Sequence, residues 1–201
     1  RQAIVHARIL RETGQVTENG YVVFDESGIL ELGEGEYRGK DLDEKIDGEG
    51  KTLMPGLIDC HVHLNMDGEP DGTASMSSAT DGDMALKAYV YAMRDLMAGF
   101  TGVRDEGSVG FTDIALRNTI EKGLVKGPRI FCSGMPLGTT GGHADSHFNP
   151  YIGGRTSMGI IVDSPDAGRA AARENFKRGA DQIKLMATGG VMSVGDDPGA
   201  P

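Results

Sequence analysis

The stretch PGLIDCHVHL, residues 55–64, places two histidines one residue apart at the end of a short apolar run. Successive side chains of a β-strand point to opposite faces, so a strand here would carry His61 and His63 on the same face. A lone histidine at a strand end is ordinarily a polar residue that is hydrogen-bonded to loop backbone. A same-face pair at the carboxyl end of a strand favours a metal site instead, because imidazole is the usual protein ligand for zinc-type ions.

The chain changes character on either side of this stretch. Residues 1–53 contain short β-branched runs separated by turns, and the DESG turn between GYVVFD and ILELG predicts a hairpin. From 54 to 201, four strand-like runs alternate with helical stretches. Strands joined by crossover-length connections are parallel, which leaves an open doubly wound sheet or a (β/α) barrel. No G-x-G-x-x-G follows the first of these strands, which disfavours a dinucleotide-binding sheet without deciding between the two.

The helices between these strands are marked by their end signals. One is predicted to begin with Asp83 as its N-cap and to stop at Gly99. Another is predicted to begin with Ser164 as its N-cap, with Pro165 in its first turn, and to stop at Gly179.

The composition argues against several partners. The 201-residue chain has a formal net charge of −10, whereas nucleic-acid binding recruits Lys and Arg, so no nucleic-acid partner is expected. No apolar run approaches the ~18–20 residues that cross a bilayer, so no membrane partner is expected. Cys60 and Cys132 lie in apolar runs and are expected to be reduced core residues. We expect a cytoplasmic homo-oligomer, although a chain that opens on Arg1 could have lost an upstream signal peptide.

Lys184 also stands out, because it lies between Ile183 and Leu185 in the fourth strand-like run, residues 180–190. An unpaired ammonium is costly to bury in a parallel strand that is covered on both faces. One interpretation is structural: the amine forms a salt bridge or reaches water at the strand end. The other is chemical, because burial lowers the pKa of a lysine and a neutral amine reacts with carbon dioxide. The resulting carbamate has two oxygens that can bridge two metal ions.

These features resemble the amidohydrolase superfamily of metal-dependent hydrolases, in the branch of Xaa-Pro dipeptidases and imidazolonepropionase-like proteins. The resemblance runs in order along essentially the whole chain. Its motifs are TLMPGLIDCHVHL, AGFTGVRDEG, GPRIFCSG, TTGGHADSH and GADQIKLMATGGVMS. The most specific of them are the HVH after PGLID and the lysine of IKLMATGGVMS.

The resemblance implies an α/β fold of the (β/α)8 TIM-barrel type, with about the first four strand–helix units in residues 54–201. Residues 1–53 would form the amino-terminal part of a small β-sandwich that the family builds from both chain termini. The family pattern adds two histidine ligands from the fifth and sixth strands and an aspartate from the eighth. None of these occurs before Pro201. We therefore expect this chain to be an amino-terminal portion of a larger enzyme and to be inactive alone.

The resemblance also implies a site with two divalent metal ions, usually zinc, at the carboxyl face of the barrel. His61 and His63 would ligate the more buried ion. Lys184, carboxylated by carbon dioxide, would bridge the two ions. His143, from the TGGH motif, would face the substrate and hold or polarise it.

Other polar residues near these motifs are expected to have structural roles. His147 follows His143 by four residues, but the surrounding glycines and proline disfavour a helix, so it is expected in a loop. Asp59 precedes the histidines, and Arg104 with Asp105 ends the second strand. Charges at strand ends of this kind are expected to support the fold rather than to react.

The implied activity is hydrolysis of a C–N amide bond by a metal-bridging hydroxide. The implied substrates are dipeptides, Xaa-Pro or related, or N-acyl amino acids with a free carboxylate. Cyclic amides, as in imidazolonepropionase-like relatives, are an alternative within this class. An alternative from another class is a non-catalytic, metal-binding half-barrel.

Overall fold

The computed structural model describes residues 1–11, 13–66, 68, 78–145, 151, 157–191 and 197–199. The chain divides into two compact units, Arg1–Gly56 and Leu57–Pro201. The sequence places this boundary between residues 53 and 54. The predicted loop position of His147 lies outside the described residues.

The first unit is a mixed five-stranded sheet in the order β3-β2-β1-β4, in which β5 also pairs with β1. Neighbours are antiparallel in β1–β2 and β2–β3, whereas β4 and β5 run parallel to β1. Alternate residues of β1 are buried, as expected for a strand with one face on a core. The predicted β2–β3 hairpin is confirmed, with Asp25 paired to Gly28. The strands are β1 (Gln2–Leu10), β2 (Val16–Asp25), β3 (Gly28–Glu34), β4 (Glu44–Asp47) and β5 (Thr52–Leu53).

The second unit is built on a parallel sheet in the order β6-β7-β8, crossed by helices. The parallel pairing predicted for the first three strand-like runs is confirmed. Its core is formed where strand and helix side chains meet, and includes Leu64, Ala88, Val103, Ile130 and Cys132. The elements are β6 (Leu57–Val62), α1 (Asp81–Met97), β7 (Phe100–Asp105), α2 (Thr112–Glu121), β8 (Arg129–Cys132), β9 (Leu137–Gly138), β10 (Ile160–Ile161) and α3 (Pro165–Arg178).

The pairing of β6 with β7 is irregular between Asp59 and Val62, the interval that contains His61. Asp59 pairs with Val103 and Val62 pairs with Asp105, so β6 contains one residue more than β7 over this interval. An extra residue of this kind is a β-bulge, which restarts the alternation of side chains and often re-aims them near a site. One sequence prediction is wrong for this strand, on which Leu57 and Ile58 are exposed as well. Cys132 is buried as expected, but Cys60 is exposed rather than in the core.

The helix ends agree with the sequence except at the start of α1. The N-cap of α1 is Thr80 rather than Asp83. The Thr80 hydroxyl accepts a hydrogen bond from the Asp83 N–H at 3.2 Å, and the Asp83 carboxylate accepts one from the Thr80 N–H at 2.9 Å. This reciprocal pair is a capping box, in which an acidic residue occupies the third helical position. Helix α3 has the predicted Ser164 N-cap and ends at Gly179 in the left-handed region (φ 106°).

The fourth predicted strand, residues 180–190, forms no ladder among the described residues. Leu185 makes a single parallel bridge to Leu137. Next to β8, the Cys132 N–H donates to the Asp181 carboxylate at 2.8 Å instead of to a backbone carbonyl. Residues 133–136 lie between Cys132 and Leu137. The segment therefore meets β8 at Asp181 and β9 at Leu185 without forming one continuous strand.

Within the described part of the chain, no helix combines the length and the apolar character that crossing a membrane requires.

Candidate metal centre

The two histidines predicted as metal ligands lie side by side at the carboxyl end of β6. His61 is within the strand and His63 follows its last residue. The centroids of the two rings are 5.3 Å apart and the ring planes are inclined by 71°. The extra residue of the bulge leaves the His61 N–H to be satisfied locally, and the Asp59 carboxylate accepts it at 2.9 Å. Asp59 therefore supports the backbone that carries the pair, as the sequence predicts.

The His63 ring has a fixed hydrogen-bond partner. Its Nδ1 atom lies 3.0 Å from the carbonyl oxygen of Gly107, in the loop after β7. A carbonyl can only accept, so the proton is on Nδ1 and the lone pair is on Nε2. Metal-binding histidines ordinarily donate their second nitrogen to such a group. This arrangement therefore leaves Nε2 available to a metal ion.

The charge state of His63 also suits a metal ligand. Burial lowers the pKa of His63 most, the hydrogen bond to Gly107 raises it, and electrostatic interactions with His61 and Lys184 lower it further. A lowered pKa keeps the imidazole neutral near pH 7, which is the form that binds metal.

Lys184 is half-buried in the segment that follows α3. Its backbone is fixed on β9, because its carbonyl accepts the Leu137 N–H at 2.9 Å and the Leu137 carbonyl accepts the Met186 N–H at 2.8 Å. Its charge lies close enough to His63 to affect the pKa of that imidazole. Among the residues that the structure describes, none forms an ion pair with Lys184. The salt-bridge interpretation of this lysine therefore finds no partner in the described part of the chain.

His143 lies against the backbone of the segment that carries Lys184. A Cβ atom built on Gly190 would be 2.0 Å from His143 Nδ1 and 2.3 Å from its Cε1. The imidazole therefore occupies the space that a side chain at position 190 would fill. The contact brings the TGGH loop and the TGG sequence after Lys184 together, which the linear motifs alone do not show.

A polar network crosses the sheet between β6 and the Lys184 segment. Arg104 Nε donates to the Cys60 carbonyl at 2.7 Å and also lies 2.7 Å from Glu106 Oε1. Gln182 Nε2 donates to the same Glu106 oxygen at 3.0 Å. Because Gln182 is two residues before Lys184, this network ties the lysine segment to the strand that carries the histidines.

Two carboxylates beneath the site are completely buried. The pKa of Asp105 is raised to about 7, first by burial and then by the charge of Asp113, although backbone amides lower it. Burial also raises the pKa of Asp113. Asp105 is the strand-end residue to which the sequence assigns a supporting role. Gly107, which makes the contact with His63, is not predicted from the sequence. Its only signal there is a glycine two residues after Asp105, the last residue of β7.

The donor set among the described residues suits part of a metal site. It consists of two adjacent imidazoles, one with a defined Nε2 lone pair, and a lysine without an ionic partner. A group of three or more His, Cys, Asp or Glu residues that could hold a metal ion is absent from the described residues. A zinc-type ion takes about four ligands, so these residues would supply part of its coordination sphere. Metal binding by His61, His63 and Lys184 stays a prediction.

Parallel strands crossed by helices, with polar groups at their carboxyl ends, define the class of β/α proteins whose sites lie at that face. Within this class, the amidohydrolase family pattern matches residues 52–201. The chain belongs to the amidohydrolase family.

Solved structures support the family and the fold. A Xaa-Pro dipeptidase crystallised with methionine in its active site is 32% identical, with a TM-score of 0.89, over 100% of this chain and 50% of that one. A prolidase in complex with N-methylphosphonate-L-proline is 34% identical, with a TM-score of 0.85, over 99% of this chain and 49% of that one. The predicted fold class, a TIM-barrel type with a small amino-terminal β part, is confirmed by these neighbours.

A curated relative gives a further comparison. Ochratoxinase from Aspergillus niger is 32% identical over 165 residues, which is 73% of this chain and 33% of that protein. The chain thus spans about a third of this relative and half of the two solved neighbours.

Proposed function

We propose that the protein acts as a binuclear metal-dependent hydrolase of amide C–N bonds. The observation that carries the proposal is the His63 ring, whose Nδ1 bond to Gly107 leaves a neutral Nε2 beside His61 and near the charge of Lys184. Two imidazoles and a lysine placed together at the carboxyl face of a β/α unit form the beginning of a two-ion site. Further protein ligands would complete each ion's sphere.

Each side chain has a distinct task in this proposal. His61 and His63 would hold one divalent ion. Imidazole binds several divalent metals, so zinc or cobalt can be used to test the site. Once deprotonated, the Lys184 amine would react with carbon dioxide, forming an N–C bond and releasing one proton, and the carbamate anion would be able to bridge two ions. When bound, divalent ions lower the pKa of coordinated water towards neutrality and polarise a carbonyl group.

His143 would orient the substrate. Its ring is placed by Gly190 on the segment that carries Lys184, and an imidazole there can donate a hydrogen bond to a carbonyl or carboxylate oxygen. The named substrates of two similar structures, a Xaa-Pro dipeptidase and a prolidase, support dipeptides with a free carboxylate as the substrate class. N-acyl amino acids share the same amide and carboxylate groups.

The test uses the natural full-length protein. It compares wild type with Lys184→Ala, and uses Lys126→Ala as a matched control because Lys126 is an exposed lysine of the same unit. Metal content is measured after loading with zinc, and activity is measured against a dipeptide library. A carbon-13 carbamate signal is sought after incubation with labelled bicarbonate. We expect Lys184→Ala to lose the carbamate signal, the second metal equivalent and turnover, and Lys126→Ala to keep all three. Intact metal content and activity in Lys184→Ala would show that the carbamate bridge is wrong.

A further inference from the structure

Asp105, the last residue of β7, has both carboxylate oxygens committed to backbone amides. Its side chain is completely buried. Oδ2 accepts the Leu64 N–H at 3.0 Å, and Oδ1 accepts the Gly107 N–H at 2.9 Å. One carboxylate therefore joins the end of β6 to the loop after β7.

Both of these amides belong to the immediate surroundings of His63. Leu64 is the next residue in the chain, so its N–H is part of the peptide group that follows His63. Gly107 presents its carbonyl oxygen to His63 Nδ1 at 3.0 Å. The backbone of His63 and the acceptor of its ring are thus attached to the same carboxylate, which forms a closed set of contacts around the imidazole.

Asp113 is a second buried carboxylate and serves as the comparison for Asp105. Asp113 is also completely buried, and its two oxygens accept the N–H groups of Gly134 and Ile114, each at 2.8 Å. Neither Gly134 nor Ile114 is next to His61 or His63 in the chain or hydrogen-bonded to either ring. Asp105 and Asp113 therefore share burial, side-chain type and hydrogen-bond count, but of the two only Asp105 bonds to the backbone around His63.

We propose that Asp105 is a positioning residue for His63: it holds the Gly107 carbonyl and the Leu64 peptide so that the imidazole keeps its proton on Nδ1 and offers Nε2. The inference rests on the proposed function for its metal, but the tautomer of His63 can be measured without any metal. Losing a group that orients a metal-binding histidine typically weakens metal affinity about 10–100-fold.

The experiment compares wild type, Asp105→Asn and Asp113→Asn, each in the natural full-length protein. Asparagine keeps the size of the side chain, but its amide nitrogen can only donate, so one of the two backbone N–H groups loses its acceptor in each variant. The first readout is the His63 tautomer in the metal-free protein, from nitrogen-15 imidazole spectra. The second is Co²⁺ affinity, from a competition titration with a chelator. The third is the urea unfolding midpoint.

We expect wild type to show the Nδ1–H tautomer, and Asp105→Asn to show a mixture of tautomers with Co²⁺ binding weakened about 10–100-fold. Asp113→Asn should lower the unfolding midpoint while keeping the wild-type tautomer and Co²⁺ affinity. An unchanged tautomer and affinity in Asp105→Asn overturns the inference, as does an equal change in Asp113→Asn. If wild type binds no Co²⁺, the proposed function fails, and the tautomer comparison alone decides the role of Asp105.

Wild type supplies a measurement that does not depend on a variant folding. Scalar couplings across the hydrogen bonds should connect the amide nitrogens of Leu64 and Gly107 to the Asp105 carboxylate carbon. Their presence, together with the Nδ1–H tautomer, supports the inference. Absence of the couplings, or a wild-type His63 protonated on Nε2, overturns it.

Discussion

Gly107 approaches the His63 ring so closely that a side chain at this position would contact it: a Cβ atom would lie 3.5 Å from His63 Cε1 and 3.3 Å from Pro136 Cγ. Its backbone has φ 146°, in the region that side chains rarely adopt. Glycine is favoured here by this backbone conformation and by the tight approach to Pro136, and the same backbone presents its carbonyl to His63 Nδ1.

Gly107→Ala should therefore impair both stability and metal binding. The strained backbone should cost about 1–3 kcal/mol of unfolding free energy, and displacement of the carbonyl should weaken Co²⁺ binding by misplacing the His63 ring. Urea unfolding and a Co²⁺ titration measure the two effects. Gly123→Ala is the matched control, because Gly123 also has positive φ (69°) but no atom lies within 4 Å of the added Cβ. That variant should lose stability with unchanged Co²⁺ affinity; equal Co²⁺ affinity in both variants would contradict the role given to Gly107.

Gly190→Ala should displace His143, because the new Cβ would be 2.0 Å from His143 Nδ1. If His143 holds the substrate as proposed, KM for a dipeptide should rise more than kcat falls. His143→Ala should give the same change, and the double variant should add little to it, because both substitutions remove one interaction. Kinetics on the metal-loaded protein test this expectation.

A glycine elsewhere in the same unit provides the control for that experiment. Gly168 lies in α3, and a Cβ atom there would meet nothing within 4 Å. Gly168→Ala should raise stability by about 0.5–1 kcal/mol, since alanine loses less entropy in a helix, and should leave KM unchanged. A wild-type KM in Gly190→Ala would show that the His143 ring is not needed for substrate binding.

The parallel direction of β6, β7 and β8 could be predicted from sequence because it depends on local signals. Short apolar runs, helix-length connections and the Ser164 cap with Gly179 each act within a few residues of the chain. The side-by-side placement of His61 and His63 also follows from their spacing. These features require no knowledge of what packs against them.

The remaining features depend on residues distant in sequence. The bulge between Asp59 and Val62 is defined only by pairing with β7, and the exposure of Cys60 depends on what does not pack against this strand. The fourth predicted strand makes one bridge to Leu137, while the Asp181 carboxylate accepts the Cys132 N–H on β8. The support of His63 by Asp105 also joins residues more than 40 positions apart. Alternation and composition contain no signal for such contacts.

Thr80→Ala tests the corrected start of α1. Removing the hydroxyl that accepts the Asp83 N–H should cost about 1 kcal/mol of unfolding free energy, the usual effect of losing an N-cap. Thr80→Ser keeps the acceptor and should stay close to wild type. Thermal or urea unfolding of the three proteins measures the difference. A wild-type stability for Thr80→Ala would mean that Asp83 is the cap after all.

The stability of the fold should decrease between about pH 4 and pH 7 on account of Asp105. Its folded-state pKa is raised from 3.8 to about 7, so over this interval the folded state binds more protons than the unfolded state. Unfolding free energy then falls as pH rises, and the loss is complete above the folded pKa. At about 1.4 kcal/mol per pKa unit, the contribution of this group is on the order of 4 kcal/mol.

His63 contributes the opposite slope in the same range, since its pKa is lowered and the unfolded state binds the extra proton. The informative quantity is therefore the difference between wild type and Asp105→Asn in urea unfolding from pH 5 to pH 8. The variant cannot ionise at position 105, so its stability should fall less steeply with pH than that of wild type. Exposed carboxylates with lowered pKa, such as Asp163, titrate below this range and do not affect the comparison. Parallel pH profiles for the two proteins would show that Asp105 is ionised in the folded state throughout, with a pKa near its ordinary value.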